Sequence, residues 1–198
     1  MGKAVISNRI MINIEASEIS RFDEVLTYEI PSYREDRPPL IIKNMKRVKS
    51  GVISIPVGRT DLIPKGYEIV DKRVLEPANF PEFRFDLRPS QQEVYDKLED
   101  NAVINASVSW GKTFTALAIA GKLGQKTLIV THTIALRTQW EEEIKKVFGI
   151  TPGIIGSGRK EYDQQIVVGN VQTLYKVKDD IATKFGTLIV DECHHIPA

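Results

Sequence analysis

Two acidic residues near the end of the chain have the types and spacing needed to hold a metal ion and activate water. Asp191 and Glu192 directly follow an apolar, β-prone run at 187–190. Two acids at the end of a buried strand suit a site in which one carboxylate holds Mg²⁺ and the other orients a water molecule. An Asp-Glu pair can also be solvated where a strand meets a loop, so this feature needs support from a second one.

The second feature is the triplet Gly111-Lys112-Thr113, which stands where a small-residue turn runs into an apolar, helix-forming segment. Such a turn directs backbone N–H groups and the positive end of the helix toward phosphates. Lys112 supplies a point charge, and the Thr113 hydroxyl can ligate Mg²⁺. Together with Asp191 and Glu192, the triplet predicts a site for ATP and Mg²⁺.

The turn departs from the common G-x-x-x-x-G-K-[ST] pattern. Ala106 stands where that pattern has its first glycine, and Ser109 and Trp110 occupy positions that are often glycine and a small residue. A chance Gly-Lys-Thr at a helix start is the alternative when the triplet is taken alone. We expect Trp110 to pack on the rim of the pocket rather than to stack on nucleotide or on a partner domain.

Composition narrows the class of protein. The 198 residues are 42% apolar with a net charge of +1, so contacts to nucleic acid must come from local patches. The single cysteine, Cys193, excludes a disulfide framework and indicates a reducing compartment. No apolar run approaches the ~20 residues that span a bilayer, and there is no signal-peptide pattern. We expect no membrane partner, a monomer, and a cytoplasmic or nucleoid-associated location.

The elements that must position these residues alternate between strand and helix after a proline-containing segment at 77–83, which is predicted to be a linker. The chain is therefore divided into a small α+β domain at 1–80 and an α/β domain at 81–198. In the second domain the predicted strands are 103–106, 127–131, 166–169 and 187–191, and the predicted helices are 90–99, 112–123, 134–148 and 171–184. This alternation predicts a parallel sheet with flanking helices, whose ligands bind at the carboxyl ends of the strands.

The first domain has a more mixed texture. Its predicted strands are 4–14, 40–42, 52–55 and 67–70, with a helix capped by Ser17 and running to about residue 27. A basic segment could contact a duplex backbone, although a solvated hairpin surface explains it equally well. Its cations are Arg34, Arg37, Lys43, Lys46, Arg47 and Lys49, with Glu35, Asp36 and Tyr33 nearby.

The segment from residue 87 to the end resembles the first motor domain, a RecA-like P-loop NTPase domain, of superfamily 2 DExH helicases and translocases. The motifs that carry the resemblance are, in order, Leu87-Arg88-Pro89-Ser90-Gln91-Gln92, 106–113, 131–140, 167–173 and Asp191-Glu192-Cys193-His194. With the following Ile196-Pro197-Ala198, the acidic motif is most similar to the XPB-like and phage UvsW-like repair and branch-migration helicases. Restriction-enzyme translocase subunits carry a similar acidic box. In the XPB-like branch a small N-terminal DNA-engaging domain is common, and it would correspond to residues 1–80.

The resemblance implies roles for individual residues. Gln91 would read the adenine edge, Glu192 would polarise the attacking water, and His194 would sense the γ-phosphate or link to a partner domain. A hydrogen-bonded histidine at a strand end is the alternative for His194. The implied ATP-binding set is Arg88, Gln91, Ser107, Val108, Ser109, Trp110, Gly111, Lys112 and Thr113. The implied DNA-contacting set is His132, Thr133, Arg137, Asn170 and Gln172, for which ordinary helix capping is the alternative.

The resemblance also implies an incomplete motor, because the second motor domain with its arginine fingers is not in these residues. We therefore expect ATP, Mg²⁺, DNA and a C-terminal motor domain as partners, with little ATPase activity from this chain alone. The leading hypothesis is the N-terminal portion of an ATP-dependent DNA helicase acting on branched or damaged DNA in recombination or repair. The alternatives are a restriction-type translocase subunit and a nucleotide-gated DNA-binding module without motor activity.

Overall fold

The computed structural model describes residues 2–32 and 36–195. Its contacts divide the chain into two compact units, residues 1–73 and 74–198, so the division falls earlier than residue 80. Two predicted features lie partly outside the described residues. These parts are Tyr33, Arg34 and Glu35 of the basic segment and Ile196-Pro197-Ala198 of the acidic motif.

The first unit is a five-stranded sheet with a short helix and a separate two-stranded ribbon. Its elements are β1 (Lys3–Ile6), β2 (Arg9–Asn13), α1 (Ile19–Val25), β3 (Thr27–Ile30), β4 (Leu40–Lys43), β5 (Lys46–Lys49), β6 (Val52–Pro56) and β7 (Glu68–Asp71), with single 3₁₀ turns at Ala16–Glu18 and Thr60–Leu62. The sheet order is β5-β6-β2-β1-β7, and β3 pairs with β4 in the ribbon. Among the described strands of this unit, only β1 and β7 are parallel neighbours.

Alternating isoleucines hold this first sheet together. Ile10 pairs with Ile55 and Ile12 with Ile53 across the β2–β6 ladder, and all four are at most 1% exposed. Their shared face packs on α1 through Phe22. Because successive strand residues point to opposite faces, one register places all of these side chains in the core.

Two predictions for the first unit are wrong in detail. The strand predicted at 4–14 is the antiparallel hairpin β1–β2, which reverses at Ser7 and Asn8. Ser17 does not cap the helix, because it lies inside the 3₁₀ turn and α1 begins at Ile19. The first error arises because apolar patterning continues through a polar reversal and does not locate it. The second arises because a serine before a helix can lie in a preceding turn rather than at the cap.

The second unit is a mostly parallel sheet with flanking helices, as predicted. Its helices are α2 (Pro89–Lys97), α3 (Lys112–Leu123), α4 (Ile134–Phe148), α5 (Val171–Lys176) and α6 (Lys178–Ile181). Its strands are β8 (Thr127–Thr131), β9 (Gly153–Gly156), β10 (Arg159–Lys160), β11 (Ile166–Asn170) and β12 (Thr187–Val190), followed by a 3₁₀ turn at Cys193–His195. The order is β10-β9-β11-β8-β12, with only β10 antiparallel to its neighbour.

The central strands β8 and β11 are buried along their whole length. Alternate residues of these strands pack into two separate hydrophobic cores, one on each face of the sheet, because both faces of a parallel sheet are covered by other elements. Ile129 packs with Ile144 of α4 on one face, whereas Val130 packs with Leu174 of α5 on the other. Among the described residues, no helix is long and apolar enough to cross a membrane.

The strand predicted at 103–106 is absent, and these residues have no regular secondary structure. Val103 is 83% exposed. A strand needs a hydrogen-bonded neighbour, and within the described residues the edge strand β12 pairs only with β8. The helix predicted at 171–184 is likewise divided at Val177 into α5 and α6.

The segment predicted to be a linker is packed against the second unit. Ala78 N–H donates to the Gly124 carbonyl at 2.9 Å. Phe83 lies 5.1 Å from Phe114 and 6.2 Å from Phe148, measured between ring centroids. The two prolines exclude regular structure there but do not prevent docking, because ring packing needs no backbone ladder.

We expect Phe83→Ala to lower the free energy of unfolding by roughly 2 kcal/mol, since it removes a half-buried ring from an aromatic cluster. Chemical denaturation of the whole chain measures this loss. Arg84→Ala is the matched control, because Arg84 is adjacent and its side chain is 80% exposed. Equal effects from the two substitutions would mean that the segment is an undocked linker.

Candidate nucleotide and nucleic-acid site

The turn before α3 contains two residues with left-handed backbone. Gly111, the residue before the helix, has φ 92°, and Ser109 has φ 65°. A Cβ atom added at Gly111 would lie 2.5 Å from the Gln91 amide nitrogen, and φ 92° is strained for any residue with a Cβ, so the position favours glycine. Ser109 has the same left-handed conformation without being glycine, which stores strain in the loop.

Lys112 points back into this loop. Its ammonium group donates to the carbonyl of Ala106 at 3.1 Å and to that of Ser107 at 3.4 Å. The neighbouring Thr113 is half-buried in the first turn of α3. A lysine held inside a loop at a helix N-terminus places its charge where an anion would be bound.

The first turn of α2 clamps the same loop. Gln91 is 3% exposed, and its side-chain oxygen accepts the Arg88 N–H at 2.8 Å. Its side-chain nitrogen donates to the Trp110 carbonyl at 2.9 Å, and the Arg88 guanidinium donates to that carbonyl as well. Both ends of the Gln91 amide are therefore engaged within the protein, and one further donor and one further acceptor position remain on it.

Trp110 lies against α2 as well as in the loop. Its indole N–H donates to the Ser90 hydroxyl at 3.1 Å, and the ring is half-buried. The packing of Trp110 on the rim of a nucleotide pocket stays a prediction. Ser107 and Val108, by contrast, are exposed at the tip of the loop.

Lysine capping joins α2 to α3. The Lys122 ammonium group donates to the carbonyls of Tyr95 at 2.6 Å and Leu98 at 3.1 Å, at the C-terminal end of α2. A cation there also interacts favourably with the helix dipole. The position of Gln91 relative to the phosphate loop is therefore set by contacts at both ends of α2.

The acidic residues follow β12 at the carboxyl edge of the sheet. Asp191 N–H donates to the Val130 carbonyl at 3.0 Å, which continues the β12–β8 ladder by one bond. One carboxylate oxygen of Asp191, Oδ2, accepts the indole N–H of Trp140 at 2.8 Å. Asp191 and Glu192 are both half-buried, and α3 packs against β12.

Glu192 has φ 51°, an unusual conformation for a residue with a Cβ atom. Its carboxylate lies 3.4 Å from His194 Nδ1, which forms an ion pair when the imidazole is protonated. His194 is exposed, and so is Cys193 between them. Strained backbone at such a position is typical of functional sites, where the fold holds a side chain in one direction.

A site for Mg²⁺ is compatible with the donors present. Thr113 and Asp191 supply hydroxyl and carboxylate oxygens, which Mg²⁺ prefers, and the cation commonly adds nucleotide phosphates and waters to one or two carboxylates. The described residues contain no cluster of three or more His, Cys, Asp or Glu side chains that would hold a metal ion by themselves. These donors fit a cation held jointly with a nucleotide.

The residues predicted to contact DNA fall into two groups. Thr133 and Gln172 are exposed and His132 is half-buried, at the carboxyl ends of β8 and β11. The Thr133 hydroxyl accepts the Leu136 N–H at 3.2 Å, so Thr133 caps α4. This cap leaves the other side of the hydroxyl open to solvent contact.

Arg137 and Asn170 are instead buried, at 8% and 7% exposure. Arg137 donates to Asn170 Oδ1 at 3.0 Å and to the Ser157 hydroxyl at 3.3 Å, and it pairs with Glu141 at 3.3 Å. Asn170 in turn donates to the Thr131 hydroxyl at 3.3 Å. This network does not favour direct phosphate contact by Arg137 or Asn170, and it links the segments after β8 and β11 to each other.

Sequence reasoning missed three residues of this region. Trp140 and Ser157 contact predicted site residues only through the tertiary fold, whereas Glu141 pairs with Arg137 one turn away in α4. In the sequence Trp140 looks like any apolar core residue of α4, so nothing there indicates that its indole N–H binds Asp191. Ser157, with φ 51° between two glycines, was detectable only as a turn.

Comparisons with known proteins identify the family of this chain. Residues 84–198 match the family model described as Type III restriction enzyme, res subunit. Probable helicase D10 of Escherichia phage T5 is 40% identical over 200 residues, covering 99% of this chain and 44% of that protein. DNA 3'-5' translocase XPB2 of Sulfurisphaera tokodaii is 35% identical over 133 residues, covering 65% and 30%.

The fold also matches a solved structure. The crystal structure of T4 UvsW superposes with a TM-score of 0.68 at 19% identity, covering 97% of this chain and 47% of that chain. At this identity the match shows the shared fold. The chain spans less than half the length of these relatives.

We expect Ser109→Gly to raise the free energy of unfolding by about 0.5–1 kcal/mol, because glycine relieves the left-handed strain at φ 65° and offsets its own entropic cost. Ser107→Gly is the control, since Ser107 is in the same loop and does not have positive φ. Thermal or urea denaturation measures both. A Ser109→Gly variant that loses stability like Ser107→Gly would contradict strain at this position.

Proposed function

This chain belongs to the family described as Type III restriction enzyme, res subunit, and on that premise we propose that its second unit is the ATP-binding motor domain of a DNA helicase or translocase. The observation that carries the proposal is the pairing of two half-sites in one unit. Lys112 lies within its loop at the start of α3, and Asp191 and Glu192 directly follow β12, against which α3 packs. Phosphoryl transfer needs a positive charge near the phosphates, a carboxylate for the metal ion and a group that orients the attacking water, and these three residues can supply them.

Individual residues of the chain then have distinct roles. Lys112 leaves the Ala106 and Ser107 carbonyls to neutralise the β- and γ-phosphates, and backbone N–H groups of the loop bind the phosphate oxygens. Thr113 and Asp191 are the residues that would hold Mg²⁺. When bound, the cation neutralises charge that develops on the phosphates.

Water activation falls to Glu192. Its left-handed backbone fixes the direction of the carboxylate, which orients the attacking water and accepts hydrogen bonds from it. His194, paired with Glu192 at 3.4 Å, is placed to respond to the state of that carboxylate and to contact a following domain. Gln91, whose amide retains one free donor and one free acceptor position, recognises the adenine edge.

We place the nucleic-acid track along the carboxyl ends of β8 and β11. His132, Thr133 and Gln172 contact the phosphates of a strand, while the Arg137–Asn170 network keeps the two segments in register. Phosphate contacts of this kind position a strand without reading its bases. The binding is therefore expected to be indifferent to sequence.

The first unit offers a basic surface. Lys46, Arg47 and Lys49 lie on β5, an edge strand whose four residues are all exposed, and Lys43 is on β4. Lys43 pairs with Asp23 at 3.7 Å, and the carboxylate partly cancels the positive charge that Lys43 would present to DNA. We propose that the β5 cations bind a duplex backbone.

We assign the whole protein to remodelling of branched or damaged DNA, with a second motor domain that completes the ATP site. Similarity to the phage helicase and to the XPB2 translocase, across less than half of each, supports this assignment. The chain by itself is then expected to bind ATP and DNA with little hydrolysis. Robust unwinding by these residues alone would contradict a two-domain motor.

Lys112→Ala tests the phosphate site. Losing a charge-assisted contact is expected to weaken binding of a fluorescent ATP analogue in Mg²⁺ by roughly 10- to 100-fold. Lys145→Ala, an exposed lysine in the last turn of α4, is the control and should leave the affinity unchanged. Unaltered affinity in Lys112→Ala would refute the assignment.

Replacing Lys46, Arg47 and Lys49 together by Ala tests the basic strand. Each lost phosphate contact should reduce the slope of log affinity against log salt by about 0.9 for duplex DNA. Fluorescence anisotropy with a labelled duplex at several salt concentrations measures the slope. A Lys65→Ala, Lys72→Ala variant removes exposed charge elsewhere in the same unit. If the Lys65→Ala, Lys72→Ala variant reduces the slope by as much per removed cation as the β5 variant does, the β5 cations have no special role in DNA binding.

A further inference from the structure

Trp140 is a core residue with one polar atom that must find a partner. It is 3% exposed and packs in the cluster formed by α3, α4 and the sheet, with Leu117 and Ile144 among its neighbours. A buried indole N–H without an acceptor costs free energy, so its partner is informative. That partner is Asp191 Oδ2 at 2.8 Å.

Asp191 is therefore held at two points. Its backbone N–H is fixed by the Val130 carbonyl at 3.0 Å, and Oδ2 is fixed by the indole. The cations in the neighbouring segments have other partners: Arg137 pairs with Glu141, and His194 lies 3.4 Å from Glu192. The indole is thus the side-chain contact that selects the orientation of this carboxylate, and Oδ1 remains for another partner.

We propose that Trp140 is a positioning residue for the metal site: its indole N–H holds Asp191 Oδ2 so that Oδ1 is directed to Mg²⁺ or to a water of its coordination shell. The inference rests on the proposed function, because it assumes that Asp191 serves a cation bound with nucleotide. Groups that orient a metal-binding carboxylate in this way commonly contribute 10- to 100-fold to metal affinity.

Two measurements test this role. In the first, Mg²⁺ is titrated into the full chain with a fluorescent ATP analogue. Trp140→Phe keeps an aromatic ring but loses the donor, and it should raise the half-saturating Mg²⁺ concentration about tenfold, leaving Mg²⁺-free nucleotide binding unchanged. Ile144→Val is the packing control, because Ile144 is fully buried in the same helix and cluster. It should leave the Mg²⁺ dependence unchanged.

The second measurement observes the contact directly. The chain has two tryptophans, so its ¹H–¹⁵N spectrum contains two indole signals, which Trp110→Phe assigns. Asp191→Ala should shift the Trp140 indole signal upfield and accelerate its hydrogen exchange about tenfold or more. Glu192→Ala, one residue away, should leave both unchanged.

The outcomes separate the inference from the function. If Trp140→Phe matches Ile144→Val in Mg²⁺ dependence, or Asp191→Ala matches Glu192→Ala at the indole, the positioning role is overturned and nucleotide binding stands. If the unsubstituted chain does not bind the nucleotide with Mg²⁺, the proposed function and the inference both fail. Should Trp140→Phe not fold, the indole comparison between Asp191→Ala and Glu192→Ala decides.

Discussion

The candidate site depends on β8, the strand that lies between β11 and β12 and is buried at every residue. Its Val130 carbonyl accepts the Asp191 N–H, and its last residue, Thr131, accepts a hydrogen bond from Asn170. The segment that follows it begins α4, which carries Trp140 and Arg137. Because a strand covered on both faces cannot shift without exposing apolar surface, the groups attached to its carboxyl end have one arrangement.

Backbone strain occurs in three loops of the second unit. Ser109, Ser157 and Glu192 are the described non-glycine residues with positive φ, and all three lie in loops of the proposed site. Such conformations cost about 1–2 kcal/mol each and persist where surrounding contacts over-determine them. The clamp from α2 on the Trp110 carbonyl and the ladder bond of Asp191 are contacts of this kind.

The local elements with strong periodicity were predictable. α3, α4 and β8 occupy the predicted ranges, since apolar spacing defines their faces and Gly124 and Gly149 end the two helices in left-handed conformations. The fold class follows from their alternation. The strand predicted at 103–106 failed because strand formation depends on a neighbour, and the short strands β3, β5, β9 and β10 escaped notice for the same reason.

The polar residues also divide into those whose role follows from local sequence and those whose partners depend on the tertiary fold. The types of Lys112, Asp191 and Glu192, and their positions after a glycine turn or a buried strand, are sufficient by themselves to predict an ATP and Mg²⁺ site, because the chemistry needs those groups at element ends. Arg137 and Asn170 carry the same polar signature as phosphate-binding residues, yet burial pairs them with each other. Side-chain type does not encode which neighbour a long side chain will meet.

The sequence alone thus determined the order of the motifs, the class of the fold and the groups available for chemistry, since these follow from residue type and short spacing. Only the tertiary structure decided how those groups are aimed. The Trp140–Asp191 contact joins residues 51 positions apart, through an indole whose surroundings are otherwise apolar. Such a contact exists only when the helix and the strand end pack together, because no local pattern links a buried N–H to its distant acceptor.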